Sequence, residues 1–265
     1  MKRLPLLPPL IVAVTLAACA GKPAKAPTTP AKPAPAATPA PATRLQPPLP
    51  SYRYAQRSYK DRILSMARHE WEFFGNQRVI YDDQGESIPR VGQWEDDDYR
   101  HAERVNMYWR SAHSPGLNGF DCQQPWSAAF ISWVMEAAGV SEEWFPPARA
   151  HWVYLAHFLN GARYGDSVFV PRTIREYSPR AGDLICATRE PVVSPYISEP
   201  PPAYLLENTK LHCDIVVEKR GQTLHAIGGN VRNSVSRSEL TLTPDGYLQP
   251  TPTRQWFLVV ENRLD

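Results

Sequence analysis

The stretch from Asp121 to Val140, DCQQPWSAAFISWVMEAAGV, constrains this 265-residue chain more than any other. Pro125 suits the first position of a helix, where a missing N–H costs nothing, and Gly139 suits the left-handed residue just past the end. Between them only Ser127, Ser132 and Glu136 are polar, while Trp126, Phe130, Ile131, Trp133, Val134 and Met135 cover most of the surface. A helix that is apolar nearly all the way round has to be wrapped by other elements, so the spacing predicts a central helix over 125–139 with a domain built around it. Ser127 falls in its first turn, where free backbone N–H groups and the positive end of the dipole favour a nucleophile or a developing oxyanion.

The first residues read as an export signal. Lys2 and Arg3 precede an apolar run from Leu4 to Ala18 that closes Leu16-Ala17-Ala18-Cys19. A basic start, a short apolar core and small residues before a cut describe a secretory signal peptide over 1–18, too short to span a bilayer. Its ending resembles a bacterial lipobox, which implies that Cys19 is lipidated and becomes the mature N-terminus. By analogy with bacterial lipoproteins, Ala20 implies sorting to the outer membrane, facing the periplasm. From there to residue 50 the chain is Pro, Ala, Thr and Lys with almost nothing to bury, and reads as a disordered tether over 19–50. Residues 51–265 are then expected to form a single α+β domain.

Charge narrows the partners. Without Lys2 and Arg3 the 29 basic residues become 27, level with the 27 acidic ones. No basic footprint for nucleic acid is left. Cys122, Cys186 and Cys213 remain in the domain; three is an odd number, and Cys122 with Cys213 is one pairing open to them because each flanks a candidate site residue. Neither Cys-x-x-Cys nor paired-His spacing occurs, so no metal or cofactor site is expected.

Tyr59 to Phe74 carries Ile63, Met66, Ala67, Trp71 and Phe74 at helical spacing, and Gly75 follows. Val79 to Trp94 reads as a loop or short hairpin. Asp96-Asp97-Asp98 then opens a helix to about Arg110, its carboxylates explained by the helix N-terminus rather than by metal or acid/base work. Arg149 to Ala162 is a further helix with Trp152, Leu155, Ala156 and Leu159 inward. Ser178 to Cys186 is a turn feeding a strand, Pro191 to Pro202 an irregular insertion, and Lys219-Arg220-Gly221 a hairpin turn between strands 212–218 and 222–227. Trp256 to Glu261 makes a last strand. Helices come first and antiparallel strands afterwards, an α+β order. His69, His151, His157 and His225 read as structural histidines.

Four of these segments carry a resemblance. Pro125-Trp126-Ser127-Ala128-Ala129-Phe130-Ile131-Ser132-Trp133 resembles the Pro-Trp-Cys-Ala-Ala-Phe-Val-x-Trp helix of the NlpC-type and CHAP-type cysteine peptidases and amidases. Pro179 to Ile185 is similar to their Pro-x-x-Gly-Asp-Leu-Val strand, and Leu211-His212-Cys213-Asp214-Ile215-Val216 to the strand that bears their catalytic histidine. Ile227-Gly228-Gly229-Asn230 resembles the Gly-Gly-Asn segment whose Asn orients that base. The resemblance implies a papain-like fold with N-terminal helices packed on a small antiparallel sheet. It also implies a catalytic set of Ser127, His212 and Asn230, with Trp126, Asp214 and Cys122 as candidate binding residues around it. The whole chain looks like a member of the bacterial family called domain of unknown function 2272.

The departure is Ser127, where those enzymes have cysteine. A helix N-terminus and a histidine stabilise a thiolate outright, whereas a serine hydroxyl needs a base aligned to take its proton during attack. His212 oriented by Asn230 could serve, and Asp214, on the same side of the strand as His212, is a substitute orienter able to stabilise an imidazolium. Three readings follow. The chain is a serine-dependent hydrolase of peptidoglycan peptide or amide bonds; or an inactive papain-like domain that binds wall peptides or a protein partner; or, least favoured, an enzyme with Cys122 as nucleophile.

Overall fold

The computed structural model of the chain describes residues 57–121, 123–165, 167–188 and 199–265. The expected signal peptide, Cys19, the tether, Cys122 and the greater part of the Pro-rich insertion lie outside the described residues. The described residues form four helices and eight strands: α1 (Tyr59–Phe73), β1 (Gln77–Asp82), β2 (Gly85–Arg90), α2 (Tyr99–Ser111), α3 (Ser127–Ala137), α4 (His151–Ala162), β3 (Phe169–Thr173), β4 (Leu184–Thr188), a 3-10 turn (Ala203–Leu206), β5 (Leu211–Arg220), β6 (Thr223–Val231), β7 (Ser234–Thr241) and β8 (Gln255–Asn262). The architecture is mixed α+β.

Local chemistry accounts for the helix ends. The Ser58 hydroxyl caps α1 by accepting from the Asp61 N–H, and Asp98 caps α2 by accepting from the N–H of His101. Asp97 in turn accepts from the Trp94 N–H, so the acidic run at 96–98 builds a helix start, as its sequence suggests. At the far end of α3, Gly139 takes φ +79°, and the N–H groups of Gly139 and Val140 bond back to Glu136 and Met135. That is the six-to-one, five-to-two closure a glycine there permits.

The strands form one sheet in the order β2-β1-β7-β6-β5-β4-β8-β3. Every pair is antiparallel except β1 with β7, which run parallel from Gln77 opposite Ser236 to Tyr81 opposite Leu240. α3 packs on β5 and β6, with α1 and α2 against its other sides. Its residues Trp126, Phe130, Ile131, Val134 and Met135 fill a core shared with Tyr108, Ile215 and Phe257. The opposite face of the sheet buries a second cluster around Tyr81, Ile185, Val216 and Trp256, closed by Ile174, Leu242 and Leu248 from the connections.

Several sequence expectations are corrected. α3 begins at Ser127 with Trp126 as its cap residue, two residues later than Pro125 suggests, and α4 begins at His151 rather than Arg149. α4 is also turned: His151, Tyr154, Leu155, Phe158 and Leu159 are buried, whereas Trp152 and Ala156 are only partly covered. Two strands, β3 and β7, have no counterpart in the sequence reading, and the hairpin β1–β2 inserts strands among the helices.

Cys213 is bonded to Cys186, not to Cys122. The two lie directly opposite each other in β4 and β5, with Cα atoms 4.2 Å apart. The bridge closes a loop of 27 residues, and on the chain-entropy model it destabilises the unfolded state by about 3.5 kcal/mol. Replacing both cysteines by alanine is therefore expected to lower unfolding free energy by about 2–4 kcal/mol in urea titrations. A loss below about 1 kcal/mol would show that the neighbouring strands hold this loop closed unaided.

Candidate active site

The helix N-terminus and the strand start meet. Ser127, the first residue of α3, sits with its Oγ 3.0 Å from Nδ1 of His212, the second residue of β5. The other ring nitrogen, Nε2, lies 2.6 Å from Oδ1 of Asp214. Residues two apart on a strand share a face, which lets Asp214 reach the ring from within the same strand. Its second oxygen, Oδ2, accepts from the Ser238 hydroxyl of β7 at 3.0 Å. Ser127 and His212 are 6% and 9% exposed, and Asp214 is fully enclosed.

The charges are ordered by these contacts. Burial works against ionisation of Asp214, but the facing His212, by charge and by hydrogen bond, with Arg254 and the Ser238 hydroxyl, outweighs it. The carboxylate is held below its usual range. An ionised Asp214 can only accept, so Nε2 of His212 carries the hydrogen and Nδ1 presents a lone pair to the Ser127 hydroxyl. That is the tautomer a general base needs. The positive end of α3 lies at the same oxygen, and no side chain among the described residues caps that helix.

Two adjacent glycines make room. A Cβ on Gly228 would stand 1.7 Å from Asp214 Oδ1 and 3.2 Å from His212 Nε2; one on Gly229 would stand 2.4 Å from Phe130 Cβ and 2.7 Å from the Trp126 ring. Each glycine serves one face of β6, the first admitting the His–Asp pair and the second admitting α3. Gly228→Ala is accordingly expected to displace Asp214 and cost about 1–3 kcal/mol. The direct readout is proton NMR, where the low-field imidazole N–H signal of the His212–Asp214 bond should vanish; its survival unchanged would contradict this packing.

Other residues singled out in the sequence fall elsewhere. Asn230 stands in β6 at φ +56°, and the ring nitrogen it was expected to orient is bonded by Asp214. Trp126 is buried in the core with its indole N–H on Glu95, so its ring is not open to a ligand. Cys122 is outside the described residues. His225 is tied to Glu218 at 3.3 Å and Glu239 at 3.5 Å, a structural setting. Sequence reasoning missed Ser238, Glu95 and His151. The last lies with its ring centroid 5.8 Å from that of His212. No local signal marks it, because a histidine at a helix start looks alike wherever the helix docks.

A search of the curated proteins and a search of the solved structures each found no match. A family model described as "uncharacterized protein conserved in bacteria" (DUF2272) matches residues 83–262, which hold α2, α3, α4 and every strand that carries the Ser127, His212 and Asp214 geometry. On that match, covering well over half its length, the chain belongs to the DUF2272 family.

Proposed function

We propose that this protein is a cell-envelope lipoprotein that hydrolyses peptide or amide bonds of peptidoglycan, with Ser127 as nucleophile on a papain-like arrangement of helix and sheet. The single observation that carries this reading is the continuous chain of hydrogen bonds from Ser127 Oγ through both ring nitrogens of His212 to Asp214. As Oγ adds to the acyl carbon, Nδ1 takes its proton and Asp214 stabilises the imidazolium. The same proton passes to the departing amine, leaving an acyl ester on Ser127. A water molecule, deprotonated by the same nitrogen, then releases the acid and restores the hydroxyl. A carboxylate behind the histidine suits serine better than asparagine would, since serine chemistry generates a full positive charge on the ring.

Lipidation at Cys19 and a tether over 19–50 belong to the same reading. They would hold the domain at the outer membrane while letting it reach the wall. The low exposure of Ser127 and His212 favours a second reading, an inactive domain that holds wall peptides or a protein partner. The full-length lipoprotein incubated with purified peptidoglycan is expected to release soluble fragments bearing new carboxyl and amino ends, and the Ser127→Ala form none. Absence of release from both, with the protein still co-sedimenting with peptidoglycan, would favour the second reading.

A further inference from the structure

Beside the serine, histidine and aspartate lies a ring that their hydrogen-bond chain does not use. His151 opens α4 and is buried, its ring plane at 65° to that of His212. Nδ1 is hydrogen-bonded to the Tyr154 hydroxyl, and Nε2 is buried with no hydrogen-bond partner among the described residues. Burial first, and then the positive neighbours His212 and Arg254, hold this imidazole well below the usual histidine range, so it is neutral. Burial and the charge of Asp214 hold the Tyr154 phenol well above its usual range, so it keeps its hydrogen.

These two facts set the tautomer. The protonated Tyr154 hydroxyl has Nδ1 of His151 as its one hydrogen-bond partner among the described residues, and a buried O–H is best satisfied by donating to it. The neutral ring then carries its own hydrogen on Nε2. The outcome is a buried N–H donor with no acceptor among the described residues, on a ring packed against that of His212. The helix ends agree with it. α1 and α2 have side-chain caps in Ser58 and Asp98, whereas α3 and α4 have none among the described residues. The two helices without a side-chain cap are those that begin with Ser127 and His151, and both of these side chains lie against His212.

We propose that His151 is the oxyanion donor of this site: its Nε2–H takes the acyl oxygen of the bond under attack. The proposal rests on the hydrolase reading above and assigns that reaction's electrophile as a neutral amide or ester carbonyl. When Ser127 Oγ bonds to the acyl carbon and its proton moves to His212, the C=O electron pair moves onto oxygen. That oxygen accepts from Nε2–H of His151, which keeps its proton throughout. When the tetrahedral species collapses, the pair returns and the bond to the leaving group breaks.

A fluorophosphonate tests this directly on the full chain. Ser127 Oγ displaces fluoride from phosphorus, its proton goes to His212, and the phosphoryl oxygen takes the place of the acyl oxygen. Labelling is followed by mass spectrometry and located by peptide mapping. Wild type is expected to label at Ser127, and His151→Phe, which keeps a ring but has no donor, at least about 100-fold more slowly. His151→Gln, whose amide nitrogen reaches the position of Nε2, is expected to stay within about tenfold of wild type, while His151→Asn, which reaches only the position of Nδ1, should fall with the phenylalanine form. The pH midpoint of labelling, set by the base, should be the same in all. A merely structural role would not separate glutamine from asparagine. Labelling of folded His151→Phe at the wild-type rate overturns the proposal and leaves the hydrolase reading standing. If that variant does not fold, equal rates in the Gln and Asn forms overturn it instead. A wild-type protein whose Ser127 never labels removes the hydrolase reading and this one with it.

Discussion

Ser127→Ala is expected to lower the release of peptidoglycan fragments by about 10⁴-fold or more, and His212→Ala by a similar factor. The double variant should be no worse than either single one, because the hydroxyl and the base act as one unit and removing either removes the step. Asp214→Asn separates this site from one built on Asn230. An amide at 214 can donate to Nε2, which drives the ring hydrogen onto Nδ1 and deprives the Ser127 hydroxyl of its acceptor. The expected loss is about 10²–10⁴-fold with Ser127 and His212 still in place. Asn230→Ala, by contrast, should stay within about tenfold of wild type, since the orienting bond is made by Asp214 at 2.6 Å. Initial rates of fragment release over these five variants decide the matter. The reverse order, with Asn230 critical and Asp214 dispensable, would mean that the ring turns over during catalysis.

Glu95→Gln is expected to stabilise the protein by several kcal/mol at pH 8 and by only about 1 kcal/mol at pH 5. Glu95 is completely buried and accepts the indole N–H of Trp126, the residue before Ser127. Burial, and then the negative charges of Asp96 and Asp121, push its pKa up to about 9. In the unfolded chain the same group ionises near about 4.3. Between those values the folded state holds a proton that the unfolded state does not, so stability is greatest below the unfolded pKa and falls as pH rises towards the folded one. The slope approaches about 1.4 kcal/mol per pH unit, and the accumulated penalty near pH 7.5 approaches about 4 kcal/mol. Glutamine keeps an acceptor for Trp126 and never ionises, so it should remove this slope. Urea titrations at pH 5, 6.5 and 8 measure it; parallel pH profiles for the two proteins would show that Glu95 is charged in the fold.

The elements legible in the sequence are those whose determinants lie within one turn or one hairpin. α1, α2 and α3 follow from apolar spacing and from Gly75, the acidic run ending at Asp98, and Gly139; the β5–β6 hairpin follows from its Lys-Arg-Gly turn, and β8 from its apolar run. β7 was hidden because its sequence, SVSRSELT, is polar. Its serines are buried by bonding instead, Ser236 to Gln77 and to the Val231 carbonyl, Ser238 to Asp214. β3 was hidden by Pro171, which is tolerated on a strand at the sheet edge. In the site, Ser127 and His212 were marked by the residues around them. Asp214 and Asn230 both remained open as orienters, because the winner depends on how β6 curves past β5.

The sequence by itself determined a buried central helix with a hydroxyl in its first turn, a strand bearing a histidine and a carboxylate two apart, and the α+β class, since short-range spacing and caps suffice for each. Only the tertiary structure decided that β1 joins β7 in parallel, that Cys213 pairs with Cys186, that Asp214 rather than Asn230 holds the histidine, and that His151 stands beside it. Each of those depends on which distant segments dock together. Docking is set by how volumes fill a shared core and how buried polar groups find partners, which no local pattern encodes.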